Sequence, residues 1–224
     1  MKTTEDLNLI GLKIFQDDEL YTFTSDALLL SKFARVKAGD VVADFCAGVG
    51  IVGFNLYGLN AGKVKSVTFF EMQKKLFDLC AENISANGLS DKFTAVHCKI
   101  QDIPKEYYGK FSLIVCNPPY RKKGSGEDCK SEEIALCRTE IALDIEELCV
   151  AFSRGLKFGG RVCFIHRADR LADAFYFMRK NGIEPKVLIP VAAKKDKAPY
   201  AVLIEGVKGG KSGLCFNQTL YNLT

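Results

Sequence analysis

The sequence predicts an α/β fold: a mostly parallel seven-stranded sheet with helices on both faces and an antiparallel closing strand, preceded by a short N-terminal hairpin and helix. Three observations predict it. Apolar, β-prone runs recur at residues 41–46, 66–71, 93–98, 111–116 and 161–166. Helical patterns at 50–59, 73–87 and 131–157 separate them, and strands alternating with helices of that length imply βαβ units and a parallel sheet buried on both sides. The last two runs, 183–190 and 198–207, follow a further helix at 171–180 and are joined by a Lys-rich turn with no helix, so they read as an antiparallel pair.

At the N-terminus, residues 8–15 alternate apolar and polar side chains and 20–23 are β-prone, with Asp17-Asp18 between them, a pattern that predicts the hairpin. Ser25-Asp26 then reads as the cap of a helix running to about Val36, with Ala27, Leu28, Leu29, Leu30, Phe33 and Ala34 on its apolar face. No repeat, low-complexity linker or composition shift divides the chain. Residues 1–224 therefore read as one domain, with 1–40 an extension and 41–224 the core.

A hydrophobic content of 48% over 224 residues supplies ample core. No apolar stretch approaches the roughly 20 residues of a membrane span, and the N-terminus is polar and acidic, so a soluble, unexported protein is expected. Nine cysteines without a C-x-x-C pair, four of them (Cys46, Cys98, Cys116, Cys163) in strand-like runs, read as reduced core residues in a reducing, cytoplasmic compartment. With His97 and His166 the only histidines, no metal site is expected. The net charge of +4 is small, but Arg121-Lys122-Lys123, Arg167 with Arg170, Lys194-Lys195 with Lys197, and Lys208 with Lys211 form clusters that a polyanion would favour.

Chemistry is announced at Asn117-Pro118-Pro119-Tyr120, directly after the run 111–116. Proline locks φ, lacks an N–H and forces the preceding residue extended, so Asn117 and the Pro118 carbonyl are held at a strand's carboxyl end, where open α/β sheets bind ligands. A side-chain and a backbone carbonyl side by side can accept both hydrogens of a planar amino group, and the Tyr120 ring offers a stacking face.

A second motif follows the first core strand: VVADFCAGVGIVG sets Gly48 and Gly50 in a tight turn, with Asp44 at the strand end and Gly53 in the next helix. This G-x-G is shared by nicotinamide and flavin domains, and its spacing leaves a dinucleotide open. Glu71 ends the second strand, where an acidic residue takes both hydroxyls of a ribose, and Met72 can lie under an adenine. Asp102 can accept from an adenine amino group, with Ile103 on the ring. Nothing in a dehydrogenase explains residues 117–120.

The order Asp44-Phe45-Cys46-Ala47-Gly48-Val49-Gly50, Glu71, Asp102, Asn117-Pro118-Pro119-Tyr120 resembles the Rossmann-like class I S-adenosylmethionine-dependent methyltransferases acting on amino nitrogens. Phe23-Thr24-Ser25-Asp26-Ala27-Leu28-Leu29-Leu30, Arg121-Lys122-Lys123-Gly124-Ser125-Gly126, His166-Arg167 with Arg170-Leu171, and the Lys-rich end further resemble the bacterial tRNA1(Val) (adenine-37-N6)-methyltransferase family. That resemblance implies methylation of the adenosine just 3′ of the anticodon in a valine tRNA. It also implies a cofactor site of Asp44, Cys46, Gly48, Gly50, Glu71, Met72, Asp102, Ile103 and Asn117, and catalysis by Asn117, Pro118, Pro119 and Tyr120. RNA contacts are expected from Tyr120, Arg121, Lys122, Lys123, Arg167, Lys194 and Lys195. The oligomeric state is silent in the sequence, with a monomer favoured. Cys46-Ala47 departs from the Gly and hydroxyl residue that many members carry there. A protein glutamine methyltransferase of release-factor type, which also uses Asn-Pro-Pro-Tyr, and a noncatalytic RNA-binding protein on the same fold are the alternatives.

Overall fold

The computed structural model describes residues 2–7, 9–17, 20, 24–119 and 143–222. The strands are β1 (Lys2–Asp6), β2 (Lys13–Asp17), β3 (Asp40–Phe45), β4 (Val64–Glu71), β5 (Phe93–His97), β6 (Phe111–Cys116), β7 (Leu156–Arg167), β8 (Ile183–Ala192), β9 (Ala201–Lys208), β10 (Cys215–Phe216) and β11 (Leu220–Tyr221). The α-helices are α1 (Ser25–Phe33), α2 (Ile51–Leu59), α3 (Lys74–Ala86), α4 (Ile145–Gly155) and α5 (Leu171–Lys180).

The main sheet runs β10-β8-β9-β7-β6-β3-β4-β5, with β11 also on β8. Its seven long strands are those expected from the sequence. The two-residue strands β10 and β11, parallel to β8 at the outer edge, are additions. From β7 to β5 every pairing is parallel, and β9 is antiparallel to both β7 and β8. Strand order reverses between β3 and β6, because the chain goes outward through β4 and β5 before returning to the centre. Such a reversal opens a crevice at the carboxyl edge.

Two cores flank the sheet. Val42, Leu113, Val115 and Cys163 face α1, α2 and α3, while Ala43, Phe45, Ile114 and Phe164 face α4 and α5. Residues 51–58 of α2 are all buried, because α1 packs over the side turned away from the sheet. At the amino-terminal edge, Arg161 donates to Asp40 at 2.7 Å and to the Arg35 carbonyl, Ser112 Oγ donates to Asp40 at 2.7 Å, and the Lys37 N–H does so at 2.7 Å. This buried network clamps the starts of β3, β6 and the inner part of β7 together.

Several boundaries differ from expectation. The hairpin pairs residues 2–6 with 13–17, not 8–15 with 20–23, and of the latter run only Leu20 is described. Its turn centres on Ile10 (φ 45°) and Gly11 (φ 75°), with the Leu12 N–H bonded to the Leu9 carbonyl at 2.9 Å. Positive φ at both central residues matches the twist of the flanking strands. Leu12, just before β2, and Ile14 within it are buried, but their partner strand is the polar segment before them.

Helix α1 has Thr24 at its N-cap with no side-chain bond, and it ends at Phe33. Ser25 and Asp26 are engaged elsewhere: Asn222 Nδ2 donates to Ser25 Oγ at 2.7 Å and the Tyr200 hydroxyl to Asp26 at 2.6 Å. Of the helix expected over 131–157, residues 131–142 lie outside the described residues. Its described part is α4, opened by an Asp144–Glu147 capping box and replaced by strand from Leu156. Among the described residues no helix is long and apolar enough to cross a membrane, and no cluster of His, Cys, Asp or Glu could hold a metal ion. The described cysteines are free thiols; Cys116 and Cys163 are buried, and Cys46 and Cys98 are partly so.

Removing one partner of a buried ion pair strands the other charge. Arg161→Ala is therefore expected to lower unfolding free energy by about 3–5 kcal/mol in chemical denaturation. A loss under about 1 kcal/mol would show that the Asp40 cluster holds nothing.

Candidate functional site

Phe45 on β3 is registered against Cys116 on β6, so the chain leaves these neighbouring strands at one level of the carboxyl edge. The glycine turn departs from β3 and Asn117-Pro118-Pro119 from β6. Asn117 and Pro119 are half-buried and Pro118 is buried. Tyr120, Arg121, Lys122 and Lys123 lie outside the described residues.

The turn is tightly coiled. Cys46 (φ 58°), Gly48 (φ 56°) and Gly50 (φ 93°) all occupy the left-handed region. At Cys46, a residue with a Cβ, this costs about 1–2 kcal/mol. Its hydrogen bonds come from several elements. The Ala47 N–H reaches the Phe70 carbonyl at 3.1 Å, and the Gly50 N–H the Ala47 carbonyl at 2.8 Å. The Gly48 N–H reaches Glu71 Oε2 at 2.8 Å. Asn83 Nδ2 donates to the Val49 carbonyl at 3.0 Å, a contact no sequence motif signalled.

The glycines serve different ends. A Cβ on Gly48 would meet nothing within 4 Å among the described residues, whereas a Cβ on Gly53 would sit 2.4 Å from the Phe69 ring. Gly53 thus lets α2 approach the sheet.

Two carboxylates are buried behind this turn. Glu71 accepts from Gly48 through Oε2 and from Gln73 through Oε1, each at 2.8 Å. Burial pushes its carboxyl up, against the pull of the N–H bonds from Gln73, Gly48 and Met72. Asp44 accepts the Gly53 N–H on Oδ2 at 2.8 Å, while its buried Oδ1 has no partner among the described residues. Burial, partly offset by the Gly53 bond and reinforced by Glu71, pushes the Asp44 carboxyl well above its ordinary range. The same burial raises the neighbouring Cys80 thiol. An unsatisfied carboxylate oxygen beside a glycine turn suits a ligand that brings a donor or a positive charge.

The remaining expected residues are spread around the edge. Met72 is half-buried, its carbonyl 2.9 Å from His97 Nε2. Asp102 is exposed at the end of a 3₁₀ turn (Ile100–Asp102). Ile103, expected against a ring, is instead buried in the core beneath β3 and β4 with Phe70 and Phe111. Arg167 forms an ion pair with Asp169, and Arg170 pairs with Asp173 at 2.7 Å. Lys194 and Lys195 are exposed in the β8–β9 loop, and because β8 runs with β7, that loop lies at the carboxyl edge.

With this geometry in place, the family model of the methyltransferase small domain matches residues 14–139. The chain belongs to that family. Curated relatives of this methyltransferase include proteins of Shewanella putrefaciens (24% identical, spanning 85% of this chain and 80% of the relative) and Dickeya chrysanthemi (24%, 84% and 73%). Both are named tRNA1(Val) (adenine(37)-N6)-methyltransferase. Similar solved structures include a predicted O-methyltransferase from Agrobacterium tumefaciens (TM-score 0.67, 17% identity, 88% of this chain and 86% of that one). P. horikoshii TYW2 in complex with MeSAdo matches with a TM-score of 0.65 and 16% identity, over 93% of this chain and 72% of that one. At such identities these structures establish the methyltransferase's Rossmann-like fold.

A carboxyl whose folded pKa is raised contributes stability when protonated, and loses it as pH rises through the folded value. Ionisation of Asp44 therefore costs the free methyltransferase stability as pH rises. Asp44→Asn is expected to melt higher than wild type near about pH 8, with the gap closing as pH falls through the raised folded value toward 3.8. Thermal melts across that range test it, and a gap independent of pH would refute the assignment.

Proposed function

We propose that this methyltransferase transfers the methyl group of S-adenosylmethionine to the exocyclic N6 of an adenine in tRNA, at adenosine 37 beside the anticodon. The observation that carries the reading is the common departure level of the glycine turn and of Asn117-Pro118-Pro119 from β3 and β6. A cofactor turn and an amino-group acceptor loop are thereby neighbours. The relatives' shared name and the lysines of the β8–β9 loop at the same edge support tRNA as the substrate.

S-adenosylmethionine supplies an electrophilic sulfonium methyl. The residues that would hold it are those around the turn: Gly48 and Gly50 with Cys46 allow close approach, and Asp44 Oδ1 offers a buried acceptor. Glu71 retains lone pairs beyond its N–H bonds for ribose hydroxyls. Met72 and Asp102 flank the adenine position, and buried Ile103 holds Asp102 in place.

Adenine N6 is a poor nucleophile because its lone pair is delocalised into the ring. Asn117 Oδ1 and the Pro118 carbonyl each accept one N–H, which draws the nitrogen toward tetrahedral geometry and stabilises the positive charge developing on it. Pro119 rigidifies the pair. Orientation can contribute several of the roughly 7–11 kcal/mol available from approximation. Tyr120 stacks on the extruded base, worth ~1–3 kcal/mol. Arg121, Lys122, Lys123, Lys194 and Lys195 hold the phosphate backbone. Arg167 does so less strongly, since Asp169 already offsets its charge.

Incubation with methyl-labelled cofactor and total tRNA from a strain lacking the enzyme should yield labelled N6-methyladenosine by nucleoside mass spectrometry. Asn117→Ala should lower kcat by about 10²- to 10³-fold while leaving cofactor affinity within about twofold. Label on a protein glutamine, or a wild-type rate in that variant, would overturn the reading.

A further inference from the structure

The N-terminal ribbon β1–β2 is fastened to the core by two asparagines of α3. Asn87 Oδ1 accepts the Lys13 N–H at 2.9 Å and its Nδ2 donates to the Lys13 carbonyl at 2.7 Å. Asn83 does the same at Phe15, accepting the N–H at 2.7 Å and donating to the carbonyl at 3.0 Å. Each side-chain amide thus acts as a peptide group of a missing neighbouring strand. The spacing fits, since four helical residues rise about 6 Å and two strand residues about 6.6 Å. The edge of β2 that faces away from β1 is closed in this way.

Asn83 does one thing that Asn87 does not. Its second amide hydrogen goes to the Val49 carbonyl, at 3.0 Å, between the two glycines of the cofactor turn. Asn83 is fully buried, so its bonds do not compete with bulk water. α3 is already packed on this turn, with Cys80 Sγ 3.1 Å from where a Cβ of Gly50 would lie.

We propose that Asn83 is a positioning residue for cofactor binding, which holds the glycine turn and the N-terminal ribbon in one geometry, so that occupancy of the cofactor site and docking of the ribbon strengthen each other. The coupling is reciprocal: a ligand that selects the bound form of the turn also fixes the Val49 carbonyl, hence Asn83, hence Phe15. The proposal rests on the assignment of the glycine turn to the cofactor.

Hydrogen exchange on the wild-type protein with the unreactive analogue sinefungin tests this without a variant. Protection is expected at residues 46–53 and also at residues 13–17. Protection of the turn alone sinks the coupling and spares the cofactor assignment; protection of neither sinks both. Isothermal titration supplies the second arm. Asn83→Ala should weaken sinefungin binding on the order of tenfold, from loss of a buried hydrogen-bonding group. Asn87→Ala, which loosens the same ribbon but does not touch the turn, should weaken binding only through the ribbon, by about two- to threefold. Equal effects of the two substitutions would reduce Asn83 to a ribbon anchor and overturn the positioning role, as would unchanged affinity in a folded Asn83→Ala protein.

Discussion

The site depends on the register of β6 against β3. Side chains alternate along a strand, so a slip of one residue would exchange the two faces of β6 and send Ile114 and Cys116 to the opposite core. Because β6 is buried along its full length, such a slip would move residues between differently shaped cores on both sides at once. The Asp40–Ser112–Arg161 network fixes the same register from the other edge, joining the starts of β3 and β6 to the inner part of β7 through one carboxylate. Phe45 and Cys116 therefore end level, and the turn and the proline loop begin side by side. Helix packing determines the chemistry's geometry from a distance.

At the carboxyl edge the molecule accepts conditions that a purely structural design would avoid. Asp44 and Glu71 are both buried and electrostatically unfavourable to each other, and one Asp44 oxygen has no partner among the described residues. Burial of an unpaired charge opposes folding, so these groups are explained by what they are ready to receive. The contrast with Asp40 is instructive. That carboxylate is as buried, but Arg161, Ser112 and the Lys37 N–H satisfy it completely. One end of the sheet is closed electrostatically and the other is left open.

The sequence made the sheet legible because its strands, buried on both faces, read as continuous apolar runs, and because Gly48, Gly50, Glu71 and Asn117 mark strand ends with residue types that strands seldom use. It misled where the decisive partner was remote. The hairpin turn uses Ile10 at positive φ, a residue that signals a strand by type, while its first strand is polar and carries no alternation. Ser25 and Asp26 look like caps but are spent on Asn222 and Tyr200, nearly two hundred residues away. Ile103 follows a 3₁₀ turn and is buried in the core, an inward orientation that local sequence cannot specify. Asn83 and Asn87 gave no signal at all, because an Asn in a helix shows its purpose only when the strand beside it is known.

Cys46 unites these threads. Its left-handed backbone interrupts the strand alternation, so that its side chain stays on the face already occupied by Phe45 and Cys116. There the Cys46 thiol neighbours that of Cys116, whose own ionisation burial suppresses strongly. Glycine would relieve the backbone strain but leave this space unfilled and would enlarge the unfolded ensemble of the turn. The opposing terms are each near about 1 kcal/mol, small enough for packing at the β3–β6 junction to decide between them. A chain that departs from glycine here keeps the turn's shape because Glu71, Phe70 and Asn83 hold its backbone from outside, and the conformation no longer relies on the freedom of the residue that adopts it.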